Sequence, residues 1–291
     1  MASKRRAYIA WIAVCVIWGT TYLGIRIALE TIPPFMMGAW RWIVAGTAIL
    51  VILALRRERL PPVRLWGSLA VLGVLMIGFG NGGVVWAEQT VPSGLTAVLV
   101  AMSPFWMVGL ETIRGDGDLL TARRVVGLVI GFGGILVLVW PELHVRGSRA
   151  FLSGVVAAQL ACAGWAVGSS YARRYNRDQN VLATAAFEML FGGLVMLAVA
   201  LARSEQYATA FNGRTATALA YLTFVGAIGG FSAYAYALKH LPVATVSLYA
   251  YVNPVIAVVL GTLILKEPFD ARMGMAAGIV LTGMALVRHE G

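Results

Sequence analysis

Charged residues are scarce in this sequence. Lysine and arginine number 23 and aspartate and glutamate 13, and together they make up 12% of the 291 residues, about half of the share found in soluble proteins. So few charges cannot cover the surface of a soluble globule, and a soluble enzyme or binding domain is excluded. Because 59% of the residues are hydrophobic, we expect an integral membrane protein whose outer surface faces lipid.

Cysteine and histidine are also scarce. Cys15 and Cys162 each lie within an apolar segment, which excludes a disulfide scaffold, and the three histidines fall in loops or at the chain end. No His, Cys and carboxylate cluster has metal-ligand spacing, so we expect no metal and no cofactor. A P-loop, a His-Glu-x-x-His motif and a deep carboxylate pair are all missing, which argues against a primary ATPase, a metalloprotease and an intramembrane hydrolase.

Ten apolar segments are long enough to cross a bilayer. A helix needs about 20 residues to span about 30 Å of hydrocarbon. The first segment follows Lys4-Arg5-Arg6 and resembles a signal peptide, but it is too long for the apolar region of one, so we interpret it as a retained span. The predicted spans cover approximately residues 7–28, 35–55, 65–87, 93–113, 122–140, 150–172, 180–202, 215–238, 243–265 and 271–288.

The basic residues predict the orientation of these spans. The net charge is +10, but the basic residues form short runs between apolar segments, which is typical of contact with anionic lipid headgroups rather than nucleic acid. Most of the 23 lysines and arginines fall on the side of the N-terminus, and basic loops face the cytoplasm. We therefore expect a multi-pass inner-membrane protein with both termini cytoplasmic and with membrane lipid around it.

The sequence repeats itself. We predict two domains, 1–143 and 144–291, of five spans each, and because five is odd the second copy is inverted relative to the first. Inverted repeats are typical of secondary transporters, whose substrate site lies at the repeat interface near the midplane. The matched residues at an offset of 147 are Cys15 and Cys162, Trp18 and Trp165, Arg26 and Arg173, Gly46 and Gly193, Gly127 and Gly274, and Gly131 and Gly278; at 150, Pro104 matches Pro254.

Two prolines within spans are candidate helix breaks for gating. Pro104 and Pro254 each remove one helical hydrogen bond and free a carbonyl one turn earlier, at Val100 and Ala250. A freed carbonyl can bind a substrate; the alternative is a packing kink with satisfied hydrogen bonds. Their pairing across the repeat favours a lined cavity.

Polar and aromatic residues at depth are the candidate substrate site. Asn81 is costly in lipid unless it is paired or wetted, so it either lines the cavity or joins two helices, and Glu88 binds a substrate ammonium, binds a proton or extends to the interface. Aromatic rings with a few amides and hydroxyls suit an apolar or aromatic solute with a small polar head, although many rings belong to the core or face lipid. The predicted cavity residues are Trp18, Tyr22, Asn81, Val85, Glu88, Met102, Ser103, Trp106, Trp165, Ser169, Tyr234, Tyr249 and Asn253.

Two charged residues occupy equivalent positions inside spans. Arg41 in the second span and Glu188 in the seventh are functional candidates, but an inverted axis places them in opposite leaflets. We expect Arg41 to pair with Glu30, or either residue to extend to the interface.

Several motifs resemble those of EamA-type members of the drug/metabolite transporter superfamily. They are WGTTY at 18–22, Arg41, the glycine-rich 127–134, PVA at 242–244, YVNPVIA at 251–257 and LKE at 265–267. The resemblance implies a basket in which spans 1 to 4 and 6 to 9 surround a central cavity and spans 5 and 10 lie outside. Within this family the sequence resembles YddG-type exporters of aromatic and other neutral amino acids, and this resemblance implies that spans 3, 4, 8 and 9 line the cavity.

The function expected from these observations is secondary export of an amino acid or similar small metabolite by alternating access. The protein is expected to act as a monomer with an internal pseudo-twofold axis. A multidrug or organic-cation proton antiporter is the alternative within transport and requires a titratable carboxylate, for which Glu88 and Glu188 are candidates. A non-transporting scaffold or receptor is the alternative outside transport, and the short loops offer it little surface.

Overall fold

The structure, a computed structural model, describes residues 2–114, 122–140, 149–175, 180–241, 243–246 and 248–288. Helices dominate these ranges, and no strand occurs within them. The predicted domain boundary at 143/144 lies outside the described residues and stays a prediction.

The first half folds as a series of helices joined by short connections. The third rod of this half is continuous in space but changes type along its length, from a short 3₁₀ turn through α-helix to a π-helical stretch. The elements are α1 (Ala2–Ala28), α2 (Pro34–Leu55), the 3₁₀ turn Val63–Leu65, α3 (Trp66–Leu72), π1 (Gly73–Asn81), α4 (Gly82–Ala87), α5 (Ser93–Val100), α6 (Ser103–Arg114) and α7 (Ala122–Val139).

The second half repeats this order. Its third rod also contains a π-helical stretch, and its fourth is again divided into a short and a longer helix. The elements are α8 (Arg149–Tyr175), α9 (Val181–Ala202), α10 (Glu205–Ala208), α11 (Gly213–Ala220), π2 (Tyr221–Gly229), α12 (Gly230–His240), α13 (Val243–Val246), α14 (Tyr249–Leu265) and α15 (Ala271–Arg288).

Among the described residues, six helical segments are long and apolar enough to cross a membrane. Shorter apolar helices lie at the positions of the remaining predicted spans, at Ser93–Met107, Val125–Val137, Tyr249–Leu265 and Ala271–Leu286. That all ten cross the bilayer therefore stays a prediction. The six long segments are Lys4–Ala28, Pro34–Leu55, Val63–Ala87, Arg149–Ala172, Val181–Ala202 and Gly213–His240.

Local sequence signals explain where the helices begin and end. Pro34 occupies the first turn of α2, where its missing N–H costs nothing. The Asn180 side chain accepts hydrogen bonds from the first backbone N–H groups of α9, and Asn212 forms a capping box with Thr215 at α11. Left-handed residues follow α2 at Arg57 and α9 at Ser204.

The two halves pack against each other with pseudo-twofold symmetry. Helix α2 packs on its counterpart α9, and α7 packs on α15. The cross-contacts are paired in the same way: α1 packs on α14 as α5 and α6 pack on α8, and π1 packs on α9 as π2 packs on α2. The two-repeat architecture predicted from the sequence is therefore present.

Glycines allow the close approach of α7 and α15, although one predicted pair does not contribute. A Cβ on Gly134 would lie 3.0 Å from the carbonyl oxygen of Ala276, and a Cβ on Gly283 would lie 2.6 Å from that of Gly127. Gly278, however, has nothing within 4 Å of the position of a Cβ. A Cβ on Gly274 would meet only the Phe269 ring, so Gly274 and Gly278, although the repeat matches them with Gly127 and Gly131, do not provide the close backbone contact.

Candidate functional site

A cavity of ≈ 410 Å³ lies between the two halves. Helices α1, α2, α4, α5, α6 and π1 from the first half and α8, α12 and α14 from the second contribute residues to its wall, whereas no described residue of α7 or α15 does. The first, second and sixth spans thus line the cavity together with the four spans that the resemblance implied. The predicted residues that line it are Trp18, Tyr22, Asn81, Ser103, Pro104, Trp165, Tyr249, Asn253 and Pro254.

Aromatic rings form one wall of the cavity around Trp18. The Trp18 ring centroid lies 4.9 Å from that of Tyr249, edge to face, and 5.2 Å from that of Phe231. Its indole N–H donates to the carbonyl oxygen of Gly226 in π2 at 3.2 Å. This bond fixes a first-half ring on a second-half helix, so the orientation of the wall depends on the contact between the halves.

Tyr234 lies behind this wall. Its ring centroid is 5.1 Å from that of Trp18 and 6.0 Å from that of Tyr249, but Tyr234 does not itself line the cavity. It packs with Ala237 and Leu241 near the end of α12. Tyr234 therefore supports the lining rings instead of forming the predicted part of the surface.

The helix break at Pro104 differs from the prediction. Helix α5 ends at Val100 and α6 begins at Ser103, so Pro104 is the second residue of a helix, where proline is tolerated. The Ser103 hydroxyl donates to the Val100 carbonyl oxygen at 2.7 Å. At Pro104 the structure thus matches the alternative of satisfied hydrogen bonds, because Ser103 already donates to this carbonyl oxygen.

Pro254 lies inside α14, as predicted. Beside it, the orientation of the Asn253 amide that satisfies its hydrogen bonds directs the nitrogen to the carbonyl oxygens of Cys15, at 3.0 Å, and of Tyr249, at 3.1 Å. The Cys15 contact joins α14 to α1. Asn253 thus connects the two halves at the cavity wall through hydrogen bonds that satisfy a polar group at membrane depth.

Four more predicted residues pack outside the cavity. Val85 and Met102 are buried in separate apolar clusters, Ser169 is half-buried and outside the lining, and the Trp106 indole donates to the Gln159 side chain at 3.0 Å. Val84 lines the cavity in place of Val85. Both valines lie about one helical turn after Asn81, and Val85 packs instead with Ile25 and Met37.

Glu88 is fully buried at the end of α4 and does not line the cavity. Its two carboxylate oxygens have no hydrogen-bond partner among the described residues, while its backbone carbonyl accepts from Arg26 Nη1. Arg26 also lies 3.8 Å from Glu267, which accepts hydrogen bonds from the Ser93 backbone and hydroxyl at the start of α5. This cluster ties α1, α5 and the end of α14 together.

Arg41 is the functional candidate that the sequence interpretation placed wrongly. It is only 4% exposed, so it does not extend to the interface, and Glu30 pairs instead with Arg214 at 3.1 Å. The Arg41 guanidinium lies over the Trp42 ring, 4.2 Å from its centroid, and both residues line the cavity. Its charge inside an apolar span was enough to identify Arg41 as a functional candidate, but not to place it at the cavity.

Glu188 is buried in α9 beside Gly73 of π1 and does not line the cavity. Within the described residues no group of His, Cys, Asp and Glu has a geometry that could hold a metal ion. The chemistry available at the cavity is therefore binding by rings, amides, hydroxyls and one guanidinium.

Comparisons with known proteins agree with the two-repeat fold. The EamA-like transporter family model matches residues 5–140 and again residues 152–288. The inner membrane transporter YedA of Escherichia coli is 34% identical over 96% of this chain and 89% of its own length, and the protein PecM of Dickeya dadantii is 26% identical over 96% and 90%.

One solved structure shares the fold. A crystal structure at 18% sequence identity covers 97% of this chain and 96% of its own, with a TM-score of 0.66. At that identity the likeness supports the architecture alone. Because the family model matches both halves, the chain is a multi-pass membrane protein that belongs to the EamA-like transporter family within the drug/metabolite transporter superfamily.

Proposed function

We propose that this protein is a secondary transporter that exports amino acids with aromatic or other neutral side chains, or similar small metabolites. The observation that carries the proposal is the cavity of ≈ 410 Å³ at the seam between the halves. Its volume falls within the usual range of small-molecule sites, and rings with a few polar groups are the usual lining of such sites.

Alternating access follows from the same geometry. The contacts between the halves are paired by a pseudo-twofold relation, and in inverted-repeat transporters one repeat rocks against the other around a fixed midplane site. Trp18 and Asn253 both bond across this seam, so rocking changes the shape of the site. We propose in addition that the protein acts as a monomer with both termini in the cytoplasm, a placement supported by the excess of basic residues on the side of the N-terminus.

Counterflow in proteoliposomes tests this proposal. Liposomes loaded with unlabelled phenylalanine, tryptophan or methionine should accumulate the labelled compound, and Trp165→Ala should reduce uptake about tenfold or more because Trp165 lines the cavity. Trp66→Ala is the control, since Trp66 is exposed and bonds to Pro61 outside the cavity. No counterflow of any solute in the panel, or equal loss in both variants, would contradict the proposal.

A proton antiporter of organic cations is the second candidate. The carboxylate of Glu88, which is buried and has no hydrogen-bond partner among the described residues, favours it, since buried ionisable groups in transporters serve in proton relays. Proton movement with substrate that disappears in Glu88→Gln would support this candidate. The guanidinium of Arg41 at the cavity argues against it, because it repels a bound cation.

A further inference from the structure

The side chains of Arg41 and Trp42 form a cluster of hydrogen-bond donors at the cavity. Both residues line the cavity and are nearly completely buried, 4% and 1% exposed. Arg41 Nε and Nη1 and Trp42 Nε1 are buried atoms that have no hydrogen-bond partner among the described residues. Buried donors are normally paired, so three donors on adjacent residues without a partner among the described residues form a candidate binding site for an acceptor.

The chemistry of this cluster specifies what the ligand carries. Guanidinium and indole nitrogens only donate, so their partner must be an acceptor. An anionic acceptor also compensates a charge that is otherwise costly at this depth. No hydrogen bond joins Arg41 to the nearby carboxylate of Glu88, whose oxygens are likewise unpaired. Within the part of the chain that the structure describes, Arg41 Nε and Nη1 therefore have no acceptor.

The surroundings position this anion site beside the ring wall. Arg41 Nη2 lies 3.6 Å from the place of a Cβ on Gly226, and the Gly226 carbonyl accepts the Trp18 indole N–H. A solute that places a carboxylate on Arg41 thus lies next to the rings of Trp18 and Phe231. A single guanidinium matches a single carboxylate, and its paired N–H groups can bind both oxygens.

We propose that Arg41, assisted by the Trp42 indole, binds the carboxylate of the transported solute and so selects carboxylate-bearing compounds over amines and amides. This inference rests on the proposed function and narrows it to one substrate class. Arg41 binds the acid group, and the aromatic wall binds the apolar body. Amino acids and simple aromatic acids are accepted, while organic cations are excluded.

The test measures binding to the purified protein in lipid nanodiscs by calorimetry, with a panel that keeps the ring and varies the charge. The probes are L-phenylalanine, 3-phenylpropionate, L-phenylalaninamide and phenethylamine. The loss of a hydrogen bond to a charged group at a buried site weakens binding about 10- to 100-fold. The wild-type protein should bind the two carboxylates tighter than the amide and amine by this factor.

Variants then test whether Arg41 and Trp42 cause the preference for carboxylates. Arg41→Gln should lower the affinity for both carboxylates to that for the amide, and Trp42→Phe, which removes only the indole N–H, should lower it less. Arg41→Lys keeps the charge but not the paired donors, so its affinity for the carboxylates should lie between those of Arg41→Gln and Trp42→Phe. It replaces Arg41→Gln in the test if that variant does not fold. The control is Arg203→Gln, since Arg203 is half-exposed, pairs with Glu205 and does not line the cavity.

Each other outcome contradicts the inference in a distinguishable way. Equal affinity for all four probes, or a carboxylate preference unchanged in Arg41→Gln and Arg41→Lys, would overturn the assignment of Arg41 while leaving transport of phenylalanine intact. Tighter binding of phenethylamine would overturn it as well. No binding of any probe together with no counterflow would overturn the proposed function, and the carboxylate site with it.

Discussion

Gly46 of α2 and Gly193 of α9 make reciprocal contacts. A Cβ on Gly46 would lie 2.9 Å from the backbone nitrogen of Leu190, and a Cβ on Gly193 would lie 2.9 Å from that of Ile43. Gly46 matches Gly193, and Ile43 matches Leu190, at the repeat offset of 147. Contacts of this self-complementary kind require a twofold relation between the partners, so the repeat in the sequence is also the symmetry of the central interface.

Substitution at these glycines should destabilise the protein. Gly46→Ala and Gly193→Ala introduce a methyl group within 3.0 Å of backbone atoms, and overpacking of this kind costs about 1–3 kcal/mol. Gly278→Ala is the matched control because nothing lies within 4 Å of its Cβ position, and it should leave stability unchanged or raise it by about 0.4–1 kcal/mol. Thermal unfolding of the three variants in detergent measures this; equal midpoints would contradict the interface.

Trp18→Phe should weaken solute binding with little effect on folding. It keeps an aromatic ring but loses the indole bond to Gly226 at 3.2 Å, which is worth about 0.5–1.5 kcal/mol, so the half-saturating concentration in counterflow should rise about 2- to 10-fold. Trp11 makes a bond of the same length to the Val246 carbonyl outside the cavity. Trp11→Phe is therefore the control, and an equal effect of both variants on the half-saturating concentration would show that Trp18 has no special role.

Glu267→Ala should destabilise the protein more than Glu30→Ala. Glu267 accepts hydrogen bonds from the Ser93 backbone and hydroxyl and lies close to Arg26, and loss of such bonds to a charged group costs about 1.5–3 kcal/mol. Glu30 forms an exposed ion pair with Arg214, which is worth about 0–1 kcal/mol. Thermal unfolding should rank the two variants in this order, and the reverse order would contradict the proposed role of Glu267.

The helical architecture and the repeat could be predicted from the sequence because both depend on long apolar segments and on matched residues. Trp18 and Tyr249 of the aromatic wall could be predicted as well, because they are deep rings in spans with other polar residues, whereas Phe231, the third ring of the wall, was not predicted. Their role in binding stays a prediction.

The side-chain register within the third span could not be predicted. Val84 and Val85 both follow Asn81 by about one helical turn, so the pattern does not decide which of them faces the cavity; in the structure Val84 lines it and Val85 is buried among apolar residues. Equally, sequence alone does not show that the Ser103 hydroxyl takes the carbonyl that Pro104 frees. Arg41 was identified as a buried charge, but its place at the cavity depends on packing against Trp42.

The inverted relation of the halves is the central claim, and single-cysteine topology mapping tests it most directly. In a background with Cys15→Ala and Cys162→Ala, Lys4→Cys reports the N-terminus and Arg146→Cys reports the junction between the halves. With a membrane-impermeant maleimide added to intact spheroplasts, Arg146→Cys should be labelled while Lys4→Cys reacts only after the membrane is opened. Labelling of both cysteines from the same face of the membrane would contradict the account.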